Sequence, residues 1–171
     1  MRTTEVPGVD PDDIVSMCSF RAGDGLFGID TRQVREVLGE TTPQRVPLAA
    51  EYIAGVVPYR GDVLTTVSFR ALLGLERGTG AGCVLVLDDQ ESDLQFGLMV
   101  DGVGGAVTMA RDALEPNPST LDARCMALFH GAYRLESGLM VRLDSHNLRP
   151  SRLAETSLFE KAKFEGTGVQ K

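Results

Sequence analysis

The chain has 171 residues, enough for one ordinary domain or two small subdomains sharing a core, and its 43% hydrophobic and 24% charged composition excludes global disorder and fibrous repeats. A net charge of −7 with no local Lys/Arg cluster opposes nucleic acid or an anionic membrane surface as a partner. The 19 glycines suit a chain of short strands joined by tight turns.

Met1 to Asp13, with Pro7, Gly8 and Pro11 among acids, reads as a disordered leader without the basic start and long apolar run of a signal peptide. Val15 to Arg21 and Leu26 to Ile29 flank Ala22-Gly23-Asp24-Gly25, which predicts a β-hairpin. Asp30 with Gln33 has the form of a helix cap, and Val34, Val37 and Leu38 fall at helical spacing before Gly39, predicting a short amphipathic helix. Thr41 to Pro47 reads as an extended linker. Tyr52 to Val57 and Val63 to Phe69 predict two strands across the turn Pro58-Tyr59-Arg60-Gly61-Asp62, with one helical turn following at Arg70 to Leu75.

Cys83 to Leu87 and Phe96 to Val100 are continuous apolar runs, expected to form a hairpin buried on both faces, and Val103 to Met109 is expected to extend the same sheet. Tyr133 to Leu135 and Leu139 to Leu143 around Glu136-Ser137-Gly138 predict a last hairpin. Ser157-Leu158-Phe159-Glu160 has capping-box form, so residues 151–171 read as a short C-terminal helix or tail. No repeat of fixed period is visible. Strands separated by turn signals every eight to twelve residues or so indicate a mostly β fold of small barrels or a sandwich, not a parallel α/β sheet.

Catalytic chemistry finds little support. His130 and His146 stand beside no cysteine or nucleophilic serine, and Cys18, Cys83 and Cys125 form no CxxC pair, which fits reduced thiols in the cytosol. Five scattered Cys and His residues do not make a zinc site. Gly78 to Gly82 and Gly102 to Gly105 are followed by β-formers, so they read as turns or bulges and not as phosphate loops. The pairs Asp12-Asp13 and Asp88-Asp89 read as solvated loops, and Pro118 spoils Asn117-Pro118-Ser119 as a glycosylation site. No catalytic residue, metal or cofactor is assigned.

Three passages together resemble the CheW family of bacterial chemotaxis coupling proteins. They are Phe27-Gly28-Ile29-Asp30 with Val34-Arg35-Glu36-Val37, then Tyr52 to Gly61 followed by Val63 to Arg70, and then Phe96 to Val103, in family order between about Val15 and Leu148. The resemblance implies two SH3-like five-stranded β-barrels on a common hydrophobic core within residues 14–150, with one or two short helices. It also implies a cytoplasmic adaptor, recruited to membrane-associated receptor arrays, that joins the cytoplasmic tip of methyl-accepting chemoreceptors to the regulatory domain of a CheA-type histidine kinase.

By the same resemblance Val34, Glu36 and Arg60 occupy receptor-facing positions. Two roles remain open for Arg60, a partner contact or an internal ion pair with Glu36, and Val34 fits either the groove or the core. Gly55 and Gly61 read as backbone requirements of the turn. Pro58, Thr65 and Ser68 depart from the family's usual Asn, Pro and Asp, which leaves open a divergent scaffold in a non-flagellar pathway without kinase coupling.

Overall fold

The computed structural model describes residues 10–76, 81–89 and 94–159, and ten strands dominate it. They are β1 (Ile14–Ala22), β2 (Gly25–Asp30), β3 (Val34–Thr41), β4 (Ile53–Tyr59), β5 (Asp62–Ser68), β6 (Gly82–Asp89), β7 (Leu94–Val100), β8 (Gly102–Ala110), β9 (Phe129–Leu135) and β10 (Gly138–Leu143). Three short helices, α1 (Phe69–Leu72), α2 (Ala123–Leu128) and α3 (Pro150–Ala154), fill the connections. The expected hairpins β1–β2, β4–β5, β6–β7 and β9–β10 all form.

Two sheets of five strands result, ordered β8-β1-β2-β10-β9 and β3-β6-β7-β5-β4. In each, the pairing between the third and fourth strands, β2 with β10 and β7 with β5, is parallel and the rest are antiparallel. Advancing every strand by five positions, returning to β1 after β10, turns one order into the other. The chain is therefore two successive five-strand units that have exchanged their leading hairpins: β1–β2 completes the sheet of β8–β10, and β6–β7 completes that of β3–β5. This repeat lies in topology and not in sequence period.

Each sheet then closes on itself into a small barrel. Gln44, just beyond β3, exchanges two backbone hydrogen bonds with Val56 of β4 (2.9 and 2.8 Å), and Glu115, beyond β8, does the same with Ala132 of β9 (2.9 and 3.0 Å). A glycine precedes the β-strand partner both times. Gly55 has φ +147° and Gly131 φ +136°, and a Cβ at either would collide with the backbone carbonyl oxygen of Gln44 or Glu115.

Three apolar clusters follow from this plan. Val15, Met17, Tyr133 and Met140 fill one barrel, and Val57, Leu64, Val84 and Val86 fill the other. The largest cluster joins the two and includes Phe20 and Phe27 of the first sheet, Leu85, Leu87, Phe96 and Leu98 of the second, and Phe69 and Leu72 of α1. Phe69 meets Phe27 edge-on at 4.8 Å between centroids and Phe20 at 5.4 Å. Leu153 and Phe159 also belong to this shared core, so the chain stays on the body as far as Phe159.

Several local expectations change. Asp30 does cap a turn, accepting from the Arg32 amide at 2.9 Å, but the turn is a single 3₁₀ turn, Thr31–Gln33, and Val34 to Leu38 continues as strand. Burial there alternates with period two, Val34, Glu36 and Leu38 inward and Arg35 and Val37 outward. A short helix must bear the cost of forming its nucleus over few residues, whereas β3 gains a ladder with β6. Val103 to Met109 does not extend the β6–β7 sheet; β8 crosses to pair with β1 in the other barrel. The helix α2, which the apolar pattern did not announce, starts where Asp122 accepts from the Cys125 amide at 2.8 Å. The start of the leader, the Gly78 to Gly80 part of the glycine loop and the helix expected beyond Phe159 lie outside the described residues.

Because both closures press a glycine against a carbonyl, Gly55→Ala and Gly131→Ala should each cost about 1–3 kcal/mol or more. Gly39→Ala, where an added Cβ meets nothing within 4 Å, should be close to neutral. Urea unfolding midpoints of the three variants check this, and equal midpoints would remove the closure argument.

Candidate partner-binding surface

The tip of β4–β5 is a two-residue turn in which Arg60 and Gly61 both have positive φ, +49° and +78°, the type I′ geometry that matches the strand twist. The turn throws the Arg60 side chain back toward β3. Its Nη2 lies 3.1 Å from Glu36 Oε2, and the Tyr59 hydroxyl donates to the same oxygen at 2.7 Å. The Arg60 guanidinium also lies 5.4 Å from the centroid of the Tyr59 ring.

These contacts set the local electrostatics. The Tyr59 hydrogen bond, then that of Arg60, holds the Glu36 carboxyl below its usual range, and the Glu36 bond pushes the Tyr59 hydroxyl up. Arg60 keeps 72% of its side chain exposed and Glu36 39%, so the clasp contributes little to stability and its partners are open to exchange.

The remaining sequence-selected residues fall as follows. Val34 is half-buried and packs on the shared core, directly opposite Leu87. Val37 faces outward at 43% exposure, and Arg35 pairs with Asp88 at 2.8 Å. Gly61 lies in the turn, whereas Gly55 lies at the barrel closure five residues from the turn's Arg60. Val34 and Glu36 thus lie on β3 and Arg60 in the turn that follows β4, so the ends of one five-strand order meet at the clasp. Tyr59, which sequence reasoning did not single out, completes the clasp; its place beside Arg60 at the turn was the available signal.

Two aspartates hold the crossovers that carry the chain between barrels. At the end of β2, Asp30 is 5% exposed and takes Arg32 Nη2 at 2.7 Å and Nε at 3.1 Å. After β7, Asp101 Oδ2 accepts from the Gly23 amide at 2.7 Å and from Arg70 Nη1 at 2.6 Å, tying the β1–β2 turn to α1. Burial pushes the Asp30 carboxyl up, but the Arg32 side-chain and backbone hydrogen bonds and its charge, with that of Arg142, hold it below the usual aspartate range.

Nothing assembled for catalysis accompanies this surface among the described residues. Groups of three or more metal-ligating side chains are absent there. Cys18, Cys83 and Cys125 are free and partly buried, and burial pushes the Cys18 thiol up, away from the reactive thiolate. His130 is exposed, 3.9 Å from Asp144, and His146 packs against Arg149. No helix among the described residues is long and apolar enough to cross a membrane.

Two closed SH3-like barrels that exchange hairpins through one core define a double-barrel scaffold domain. The chain belongs to the CheW family: the CheW-like domain model matches residues 16–151, which take in nearly all of both barrels. Among curated proteins it is 27% identical over 141 residues to the chemotaxis protein CheW of Rhizobium meliloti, covering 82% of this chain and 91% of that one. It is 22% identical over 153 residues to chemotaxis protein CheW of Treponema pallidum, covering 86% and 89% respectively, and 28% identical over 122 residues to protein PilI of Pseudomonas aeruginosa, covering 71% and 68%. The crystal structure of scaffolding protein TtCheW from Thermoanaerobacter tengcongensis has the same fold, with a TM-score of 0.68 and 22% identity over 78% of this chain and 91% of that one.

Asp30→Ala should cost about 1–2 kcal/mol at neutral pH, as the loss of a turn cap does. The folded state holds the Asp30 carboxyl below its unfolded value, so this stability is present above the usual aspartate range and is lost as pH falls through the lower folded value. The gap in unfolding free energy between wild type and Asp30→Ala should therefore close in acid, as measured by urea titrations along a pH series; a gap constant with pH would contradict the assignment.

Proposed function

We propose that the protein is a cytoplasmic, non-catalytic adaptor that joins the cytoplasmic tip of a methyl-accepting chemoreceptor to the regulatory domain of a CheA-type histidine kinase. The observation that carries this reading is the match of the CheW-like domain model over residues 16–151, nearly the whole double barrel and not one strand motif. Relatives named chemotaxis protein CheW in several bacteria support it.

In this reading Val34, Glu36 and Arg60 serve the receptor side. Val34 anchors β3 in the shared core and so fixes the direction in which Glu36 faces. Arg60 is held ready by Glu36 and Tyr59 in an exposed clasp, and a receptor carboxylate takes the place of Glu36 when a receptor helix packs along the barrel edge. Ion pairs of this kind cost little to exchange, which suits an adaptor whose contacts must form and release.

The departures from the family pattern have structural settings. Pro58 lies on β4, at the edge of its five-strand order, where a missing donor is tolerated. Ser68 caps α1 by accepting from the Ala71 amide at 3.2 Å, and Thr65 stands mid-strand opposite Val56. They do not by themselves argue for loss of kinase coupling.

Arg60→Glu should weaken binding to a receptor cytoplasmic fragment at least about tenfold, about 1.4 kcal/mol, while leaving affinity for the kinase domain and the unfolding midpoint unchanged. The swap Arg60→Glu with Glu36→Arg restores the clasp but should not restore receptor binding. Isothermal titration checks both. Recovery of binding in the swap would make Arg60 purely structural, and wild type binding neither partner at tens of micromolar would remove the adaptor reading.

A further inference from the structure

The clasp of Glu36, Tyr59 and Arg60 holds its two charges unequally. Tyr59 packs its ring against the apolar cluster of the second barrel, so its hydroxyl is a fixed donor, and it pins Glu36 Oε2 at 2.7 Å. Arg60 reaches the same oxygen at 3.1 Å from the tip of the turn and keeps 72% of its side chain exposed. Among the described residues Glu36 Oε1 accepts no hydrogen bond. Glu36 is therefore the stationary acid of the clasp and Arg60 the movable base. The backbone at Arg60 points the same way: φ +49° at the first central position of a type I′ turn suits Asn, Asp or Gly, and an arginine held there is strained, as residues at recognition sites often are.

An exchange of partners at this clasp has to balance charge. In the adaptor reading, Arg60 leaves Glu36 for a receptor carboxylate. Glu36 cannot follow it, because Tyr59 holds the carboxylate in place. A helix packed along the barrel edge also takes water from that carboxylate. An acid that loses its counter-ion and its water together is strongly destabilised, so pairing Arg60 alone would oppose binding. The balance closes when the same helix brings a cation to Glu36 Oε1. Acid and base are neighbours in the clasp, and side chains three or four residues apart are neighbours on a helix face.

Resting on the adaptor reading, we propose that the clasp recognises an acid–base pair on the receptor helix. A receptor carboxylate takes Arg60, a receptor Lys or Arg three or four residues from it takes Glu36, and Tyr59 is the positioning residue that keeps Glu36 in place. The four charges close a ring with no net charge left over. A helix that carries the acid without the base is rejected by the uncompensated Glu36 carboxylate.

Isothermal titration of the full chain against a receptor cytoplasmic fragment tests this, with the Lys and Arg residues of the fragment's tip changed to Gln one at a time. Glu36→Gln, which keeps an acceptor for Tyr59, should weaken binding about tenfold. One receptor Lys→Gln or Arg→Gln, three or four residues from an acid, should weaken binding to wild type about tenfold and add little further loss to Glu36→Gln. Tyr59→Phe keeps the packed ring and should reduce that coupling. If Glu36→Gln binds as tightly as wild type or more tightly, Glu36 merely competes with the receptor for Arg60, and the proposal is overturned while the adaptor reading stands. Basic substitutions that act equally on wild type and Glu36→Gln also overturn it. Wild type that does not bind the fragment at all removes the adaptor reading itself.

Discussion

The structure depends on the exchange of two hairpins across one core. After β2 the chain leaves its first barrel to build all five strands of the second, β3 to β7, and after β7 it returns to complete the first. Phe20, Phe27 and Phe69 stand where these paths meet, with ring centroids 4.8 to 5.7 Å apart. Burying side chains of this size is worth roughly 1.5–3 kcal/mol each, and here they belong to both barrels at once. The second barrel is the continuous run β3–β7, whereas the first is assembled from β1–β2 and β8–β10 on either side of it, and the shared aromatic core binds the two together.

That constraint explains why particular small and acidic residues stand where they do. Gly55 and Gly131 permit the same closure in the two barrels, each beneath a carbonyl that leaves no room for a Cβ. Asp30 ends β2 and Asp101 follows β7, the two strands from which the chain crosses over, and both spend their carboxylates on fixing the crossover. Residues that read as motif in the sequence are thus largely scaffold, and the exposed clasp of Glu36, Tyr59 and Arg60 is a separate feature where β3 meets the β4–β5 tip.

Much of the strand plan was legible because apolar runs and turn residues are local signals: the hairpins around Gly23, Gly61 and Gly138 follow from short-range rules. What failed was non-local. Val34, Val37 and Leu38 suit a helix face as well as a strand, and only the ladder waiting on β6 decides between them. The partner of β8 could not be read because the nearest strands in sequence belong to the other barrel. The five-strand repeat escaped notice because the two halves share positive-φ glycines and pairing order, with little common side-chain pattern. At the surface, the possible pairing of Arg60 with Glu36 was visible as an alternative, but Tyr59 as the second donor to Glu36 needed coordinates.

A rigid double barrel suits an adaptor because a contact on one face is held at a fixed geometry to a contact on another. The most direct test of that account is sedimentation velocity of the full chain mixed with a chemoreceptor cytoplasmic fragment and a CheA-type regulatory domain. The account predicts a single faster species containing all three, lost when the chain is omitted. Two binary complexes that exclude one another would contradict it, since a chain able to hold only one partner at a time couples nothing.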